Sequence, residues 1–103
     1  MKLIATLLIA AGVMVSAPAM ASLDLAKKSN CMSCHTVDNK LVGPSYQDVA
    51  KKYAGNKNAI KELSAKVKAG GKGVWGEIPM PPNAAVKEAD IEILVKWILA
   101  GAK

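Results

Sequence analysis

Both cysteines and the single histidine of this 103-residue chain fall within five consecutive positions, Cys31-Met32-Ser33-Cys34-His35. No other feature restricts the fold as much. A C-x-x-C-H pentapeptide is the attachment signature for c-type haem. On a helix, positions i and i+3 share a face, so two thiols at that spacing can each bond one vinyl group of the same porphyrin. His35, next to the second thiol, then directs its imidazole at the iron. Three other uses of these residues compete. A dithiol redox pair shares C-x-x-C but normally accompanies a βαβ pattern, and the sequence has no sustained period-2 alternation. A structural zinc site takes four ligands, more than two Cys and one His supply. A plain disulfide leaves His35 without a role.

The rest of the chain is short of core. Residues 3–21 carry no charge, follow Lys2 as a positive start, and end in Ala19-Met20-Ala21. That is the pattern of a secretory signal peptide with an A-x-A cleavage site. An uncleaved anchor is the alternative, because the run nearly reaches the ~20 residues that span a bilayer as a helix. Ser16, Pro18 and the A-x-A end suit cleavage better. The expected organisation is therefore a signal peptide over 1–21 and one exported domain over 22–103, periplasmic, with no stable membrane insertion after cleavage.

The exported part contains no Phe, and its aromatics are Tyr46, Tyr53, Trp75 and Trp97. A bare chain of this size buries only about 60% of its unfolded surface and usually needs a disulfide, a metal or a cofactor to hold it. A large catalytic domain, a dinucleotide fold and a multi-disulfide scaffold are excluded. All 14 basic residues are Lys, against 8 acidic ones, for a net charge of +6. The surplus points to acidic partner faces, and Lys27 and Lys28, just before the pentapeptide, are best placed to meet one. Scattered lysines without interleaved aromatics do not make a nucleic-acid site, so no nucleic-acid partner is expected.

Helical spacing dominates. Residues 23–35 predict a first helix with Ser22 as N-cap and Leu23, Ala26 and Cys31 facing inward. Ser45, three residues before Asp48, predicts the start of a short helix running to about Lys52. Asn56 or Asn58 is expected to cap a third helix with Ile60, Leu63 and Val67 on one face, stopped by Gly70-Gly71. Three prolines among residues 79–82 exclude a helix there. A last helix is predicted from about Lys87 to Gly101, with Ile91, Leu94, Val95, Ile98 and Leu99 as its core stripe.

A six-coordinate haem takes a second axial ligand, commonly Met or His. There is no second His, and beyond residue 21 the methionines are Met32 and Met80. Met32 lies between the two cysteines and cannot reach the opposite haem face. Met80 lies in Ile78-Pro79-Met80-Pro81-Pro82, whose φ angles proline largely fixes; such stiffness suits holding a weak thioether ligand. Plain core filling is the alternative for a methionine.

With Val-Gly-Pro at 42–44, Gly-Val-Trp-Gly at 73–76, Ile-Pro-Met-Pro-Pro-Asn at 78–83 and Lys-Trp-Ile-Leu at 96–99, the sequence resembles the small bacterial class I cytochromes c of the cytochrome c-551 (c8) type. The resemblance covers essentially all of residues 22–103. It implies an all-α class I cytochrome c fold, four to five short helices wrapped around one covalently bound haem c. Cys31 and Cys34 would form the thioethers, and His35 and Met80 would be the axial iron ligands. Pro44 would accept from His35 Nδ1–H, which orients the ring. Trp75 would donate its indole N–H to a haem propionate, and Asn83 would hydrogen-bond near the Met80 sulfur. Lys66 stands where the family often has an Arg facing a propionate; Lys lacks the bidentate fork.

The function so implied is a periplasmic monohaem one-electron carrier between respiratory-chain donors and terminal reductases or oxidases. Two axial ligands leave no open site for a substrate, which argues against an enzyme. A haem enzyme or gas sensor from which Met80 dissociates, and a haem-free thiol–disulfide protein, are the competing classes. Partners implied are redox proteins that dock transiently: a periplasmic nitrite reductase, a peroxidase or terminal oxidase, and an upstream quinol-oxidising complex, with the carrier itself a monomer. Leu41, Val42, Ile78, Pro79 and Pro81 flank the ligand segments and are expected to form a small apolar docking patch.

Overall fold

The computed structural model describes residues 18–103. The expected signal peptide thus lies outside the described residues, except for its last four positions, which form the start of the first helix. Four α-helices follow in order: α1 (Pro18–Lys28), α2 (Tyr46–Lys52), α3 (Ala59–Ala69) and α4 (Glu88–Leu99), with a single 3-10 turn at Cys31–Ser33. The all-α expectation holds. Among the described residues the one strand-like pairing is an isolated antiparallel bridge between Gly71 and Met80.

The centre of the packing is α4, on which α1, α2 and α3 all rest. Of its predicted stripe, Ile91, Leu94, Val95 and Ile98 are buried and Leu99 is half-buried, with Trp97 buried beside them. Ile91 and Val95, one helical turn apart, are each 1% exposed. Burying side chains of this size contributes roughly 1.5–3 kcal/mol apiece. Glu88 and Asp90 in the first turn of α4 offset the positive end of the helix.

The first helix departs from expectation. It starts at Pro18 and ends at Lys28, so Ser22 is buried inside it rather than capping it. The cause of its end is Asn30, which takes a left-handed conformation (φ 64, ψ 18); a short polar side chain tolerates this better than most residues. The pentapeptide therefore forms a separate turn. Within it, the N–H groups of Cys34 (3.2 Å) and His35 (3.1 Å) both donate to the Cys31 carbonyl. Of the residues expected to face inward, Ala26 is fully buried, while Leu23 and Cys31 are half-buried against the core.

The predicted cap of α2 is present, with Ser45 Oγ accepting from Asp48 N–H at 3.0 Å. For α3, Asn58 occupies the N-cap position without a side-chain hydrogen bond. Asn56 Oδ1 accepts instead from Asn58 N–H at 2.8 Å, stabilising the turn before the helix. The buried face of α3 also shifts: Leu63 is buried and Val67 half-buried, but Ile60 is exposed and Ala59 takes its place in the core. Residues 59, 63 and 67 lie at four-residue intervals, which keeps them on one face. At the predicted stop, Gly70 (φ 76) donates its N–H to the Lys66 carbonyl at 2.7 Å.

Candidate haem site

The turn at 31–35 is tied back by the segment that follows it. Gly43 N–H donates to the Cys34 carbonyl at 2.7 Å, and Tyr46 N–H, opening α2, donates to the Thr36 carbonyl at 2.9 Å. This brings Pro44 under His35, with His35 Nδ1 2.8 Å from the Pro44 carbonyl oxygen. A carbonyl only accepts, so Nδ1 carries the proton. In the neutral ring this leaves Nε2 with the free lone pair that a metal ligand requires.

Two further residues hold the imidazole, and both were missed in the sequence. A Cβ on Gly43 would lie 2.6 Å from His35 Cε1, so the backbone at 43 can approach the ring only as glycine. The Tyr46 ring stacks on His35, with centroids 5.1 Å apart at 23°. The available signal was the short spacing from His35 to Gly43-Pro44 and then to the capped start of α2. Cys31 and Cys34 are half-buried and not joined to each other. Burial pushes the Cys31 thiol above its ordinary pKa, against a smaller opposing pull from the Tyr46 hydroxyl.

Met80 is held through its backbone. Its N–H donates to the Gly71 carbonyl at 2.8 Å, and its own carbonyl accepts from Gly71 N–H at 3.0 Å. Asn83 closes the segment from the other side: its backbone N–H (3.1 Å) and side-chain Nδ2 (3.0 Å) both donate to the Val67 carbonyl on α3. Nδ2 also lies 3.3 Å from the Pro81 carbonyl. The Asn83 amide, expected at the Met80 sulfur, instead donates to the backbone oxygens of Val67 and Pro81, where it clamps the methionine segment to α3.

Cys31, Cys34, His35, Pro44, Lys66, Trp75 and Met80 all border one cleft of about 600 Å³, while Asn83 stands outside its lining. Leu63, Leu94, Val95 and Ile98 supply hydrocarbon to the same cleft. The volume lies within the ~300–1,000 Å³ of cofactor sites. Haem c fits these residues: thiols at helical spacing, an imidazole with a free Nε2, a tethered methionine and an apolar lining. Zinc does not fit, since no group of three or more His, Cys, Asp or Glu that could hold a metal occurs among the described residues.

Lys66, expected near a propionate, lies on the cleft wall, which also carries Asp48 and Glu77. Lys40 and Lys72 line the cleft as well, and Lys52 Nζ sits 5.5 Å from the centroid of the Trp75 ring. Lys27 and Lys28 are exposed at the end of α1 and do not line the cleft. Of the expected apolar patch, Ile78 is 66% exposed, Leu41 51% and Val42 45%.

A short helical fold that opens between a C-x-x-C-H turn and a proline-held methionine is the design of a class I c-type cytochrome. Comparison with known proteins agrees. Residues 23–102 match the family model for cytochrome c. Cytochrome c-551 of Allochromatium vinosum is 56% identical over 82% of this chain and 90% of its own. Cytochrome c-552 of Nitrosomonas europaea is 50% identical over 87% of each chain. The crystal structure of wild-type Nitrosomonas europaea cytochrome c552 superposes with a TM-score of 0.73 at 53% identity, covering 75% of this chain and 95% of that one. The chain belongs to the cytochrome c family. Its cofactor is haem c, carried covalently through the Cys-x-x-Cys-His segment, and it is a monohaem electron carrier rather than an enzyme.

Proposed function

We propose that the chain is a periplasmic one-electron shuttle, released by cleavage after Ala21, whose haem iron is held between His35 and Met80. The observation that carries this reading is the convergence of His35 and Met80 on a single cleft. The haem supplies the redox couple. Pro44 keeps the proton on Nδ1 and so keeps Nε2 available. Gly71 and Asn83 fix the backbone on both sides of Met80, which lowers the entropy lost on ligation and opposes dissociation. Leu63, Leu94, Val95 and Ile98 penalise additional positive charge in the cleft, and a methionine ligand raises the potential in the same direction. Pro44, Lys66 and Trp75 complete the lining, the last two as partners for the propionates.

Docking uses Leu41, Val42 and Ile78 as a small apolar contact with Lys40 and Lys72 beside it. Transient redox complexes bury less than ~1,200 Å², and rim lysines then act mainly on the association rate. The acidic partners proposed are a periplasmic nitrite reductase, peroxidase or terminal oxidase on one side and a quinol-oxidising complex on the other.

Oxidised and reduced absorption spectra of protein recovered from the periplasm test the reading. A covalent low-spin haem with a thioether–iron band supports it; high-spin haem or no haem refutes it. Stopped-flow rates test the docking face: Ile78→Asp is expected to slow reduction of an acidic partner at every salt concentration. Unchanged rates at unchanged potential would place the contact elsewhere.

A further inference from the structure

The hydrogen bond to Pro44 fixes one atom of the His35 ring but leaves its plane loosely defined. Histidine χ2 is a broad torsion, and a hydrogen bond remains favourable over tens of degrees of misalignment. Something else must choose the plane. Tyr46 is 4% exposed and lies nearly parallel to the imidazole. It cannot drift, because its backbone N–H is bound to Thr36, the residue after His35. Trp97 of α4 meets the Tyr46 ring edge-on, with centroids 5.6 Å apart at 74°. The three rings therefore form a contiguous aromatic cluster, stacked at His35–Tyr46 and edge-to-face at Tyr46–Trp97, from the turn at 31–35 to the central helix.

We propose that Tyr46 is a positioning residue for the proximal ligand: its ring, braced by Trp97, fixes the rotation of the His35 imidazole presented to the haem iron. The inference rests on the haem reading above. An aromatic pair biases orientation roughly two- to twelve-fold beyond plain burial, enough to select one plane from a broad torsional well. The ring face does this, so the hydroxyl is dispensable for it. Gly43 supports the same outcome, because a Cβ at that position would be driven into the imidazole.

The plane of an axial imidazole sets how unpaired electron density spreads over the porphyrin, which the haem methyl proton shifts of the oxidised protein report. Tyr46→Phe is expected to keep the order and spread of those shifts. Tyr46→Leu is expected to change them while the haem stays covalent and low-spin. Parent-like shifts in Tyr46→Leu with only a lower Tm would show ordinary packing and overturn the inference, as would equal changes in both variants. The parent holoprotein gives a second arm that does not depend on variant yield. Cross-relaxation between His35 and Tyr46 ring protons is expected, and its absence overturns the proposal. A parent without covalent low-spin haem would overturn the haem reading itself, so the two failures are distinguishable.

Discussion

Gly70→Ala tests how the end of one helix controls Met80, the proposed second iron ligand. Gly70 has φ 76 and ψ −174, a region essentially reserved for glycine, and holding another residue there costs about 1–3 kcal/mol. A Cβ at that position would also fall 2.6 Å from the Met80 carbonyl oxygen, 2.8 Å from Pro82 N and 3.0 Å from Pro81 C. All three are backbone atoms, so no rotamer change relieves the contact, and overpacking of this kind costs a further ~1–3 kcal/mol. One backbone movement relieves part of both, so about 3 kcal/mol is expected. At ~4–8 °C per kcal/mol for a domain of this size, Tm should fall by roughly 12–24 °C. The same movement draws Met80 away from Gly71, so the thioether–iron band should weaken in the folded protein.

Gly55→Ala is the control. Its φ is 82 but nothing lies within 4 Å of the added Cβ, leaving only the left-handed penalty of ~1–2 kcal/mol. Thermal melts followed by circular dichroism, with near-infrared spectra of the oxidised proteins, read both effects. A Gly70→Ala protein that melts no lower than Gly55→Ala and keeps its full band would refute the reasoning.

Met80→Ala should leave the haem covalently attached but abolish the thioether–iron band, lower the potential and admit cyanide or carbon monoxide; a surviving band would exclude Met80 as the ligand. The apoprotein should be largely unfolded, because the cleft of about 600 Å³ borders Leu63, Leu94, Val95 and Ile98 and would wet the core; native-like helicity with a sharp melt in haem-free protein would contradict this. Burial pushes the Tyr46 phenol well above its ordinary value of 10. The unfolded chain therefore ionises first, so this contribution to stability is whole below pH ~10 and declines as pH rises further. Tm measured across that range should fall less steeply in Tyr46→Phe, and parallel curves would refute the assignment.

The chemistry of this protein was legible in residues that have no substitutes. With one His, two Cys in C-x-x-C-H and one methionine free of that motif beyond residue 21, composition alone leaves few ways to build the site. The α4 stripe and the Ser45 cap were equally readable, because both are local patterns of three or four residues. Tertiary structure decided what depends on long-range approach. Asn30 ends α1 early, since a left-handed residue leaves no strong periodic trace. Ala59 displaces Ile60 from the core because α4 fixes which edge of α3 faces inward. Asn83 clamps the methionine segment to Val67, and Gly43 and Tyr46 hold the imidazole. Each of these depends on a distance between segments that sequence spacing does not carry.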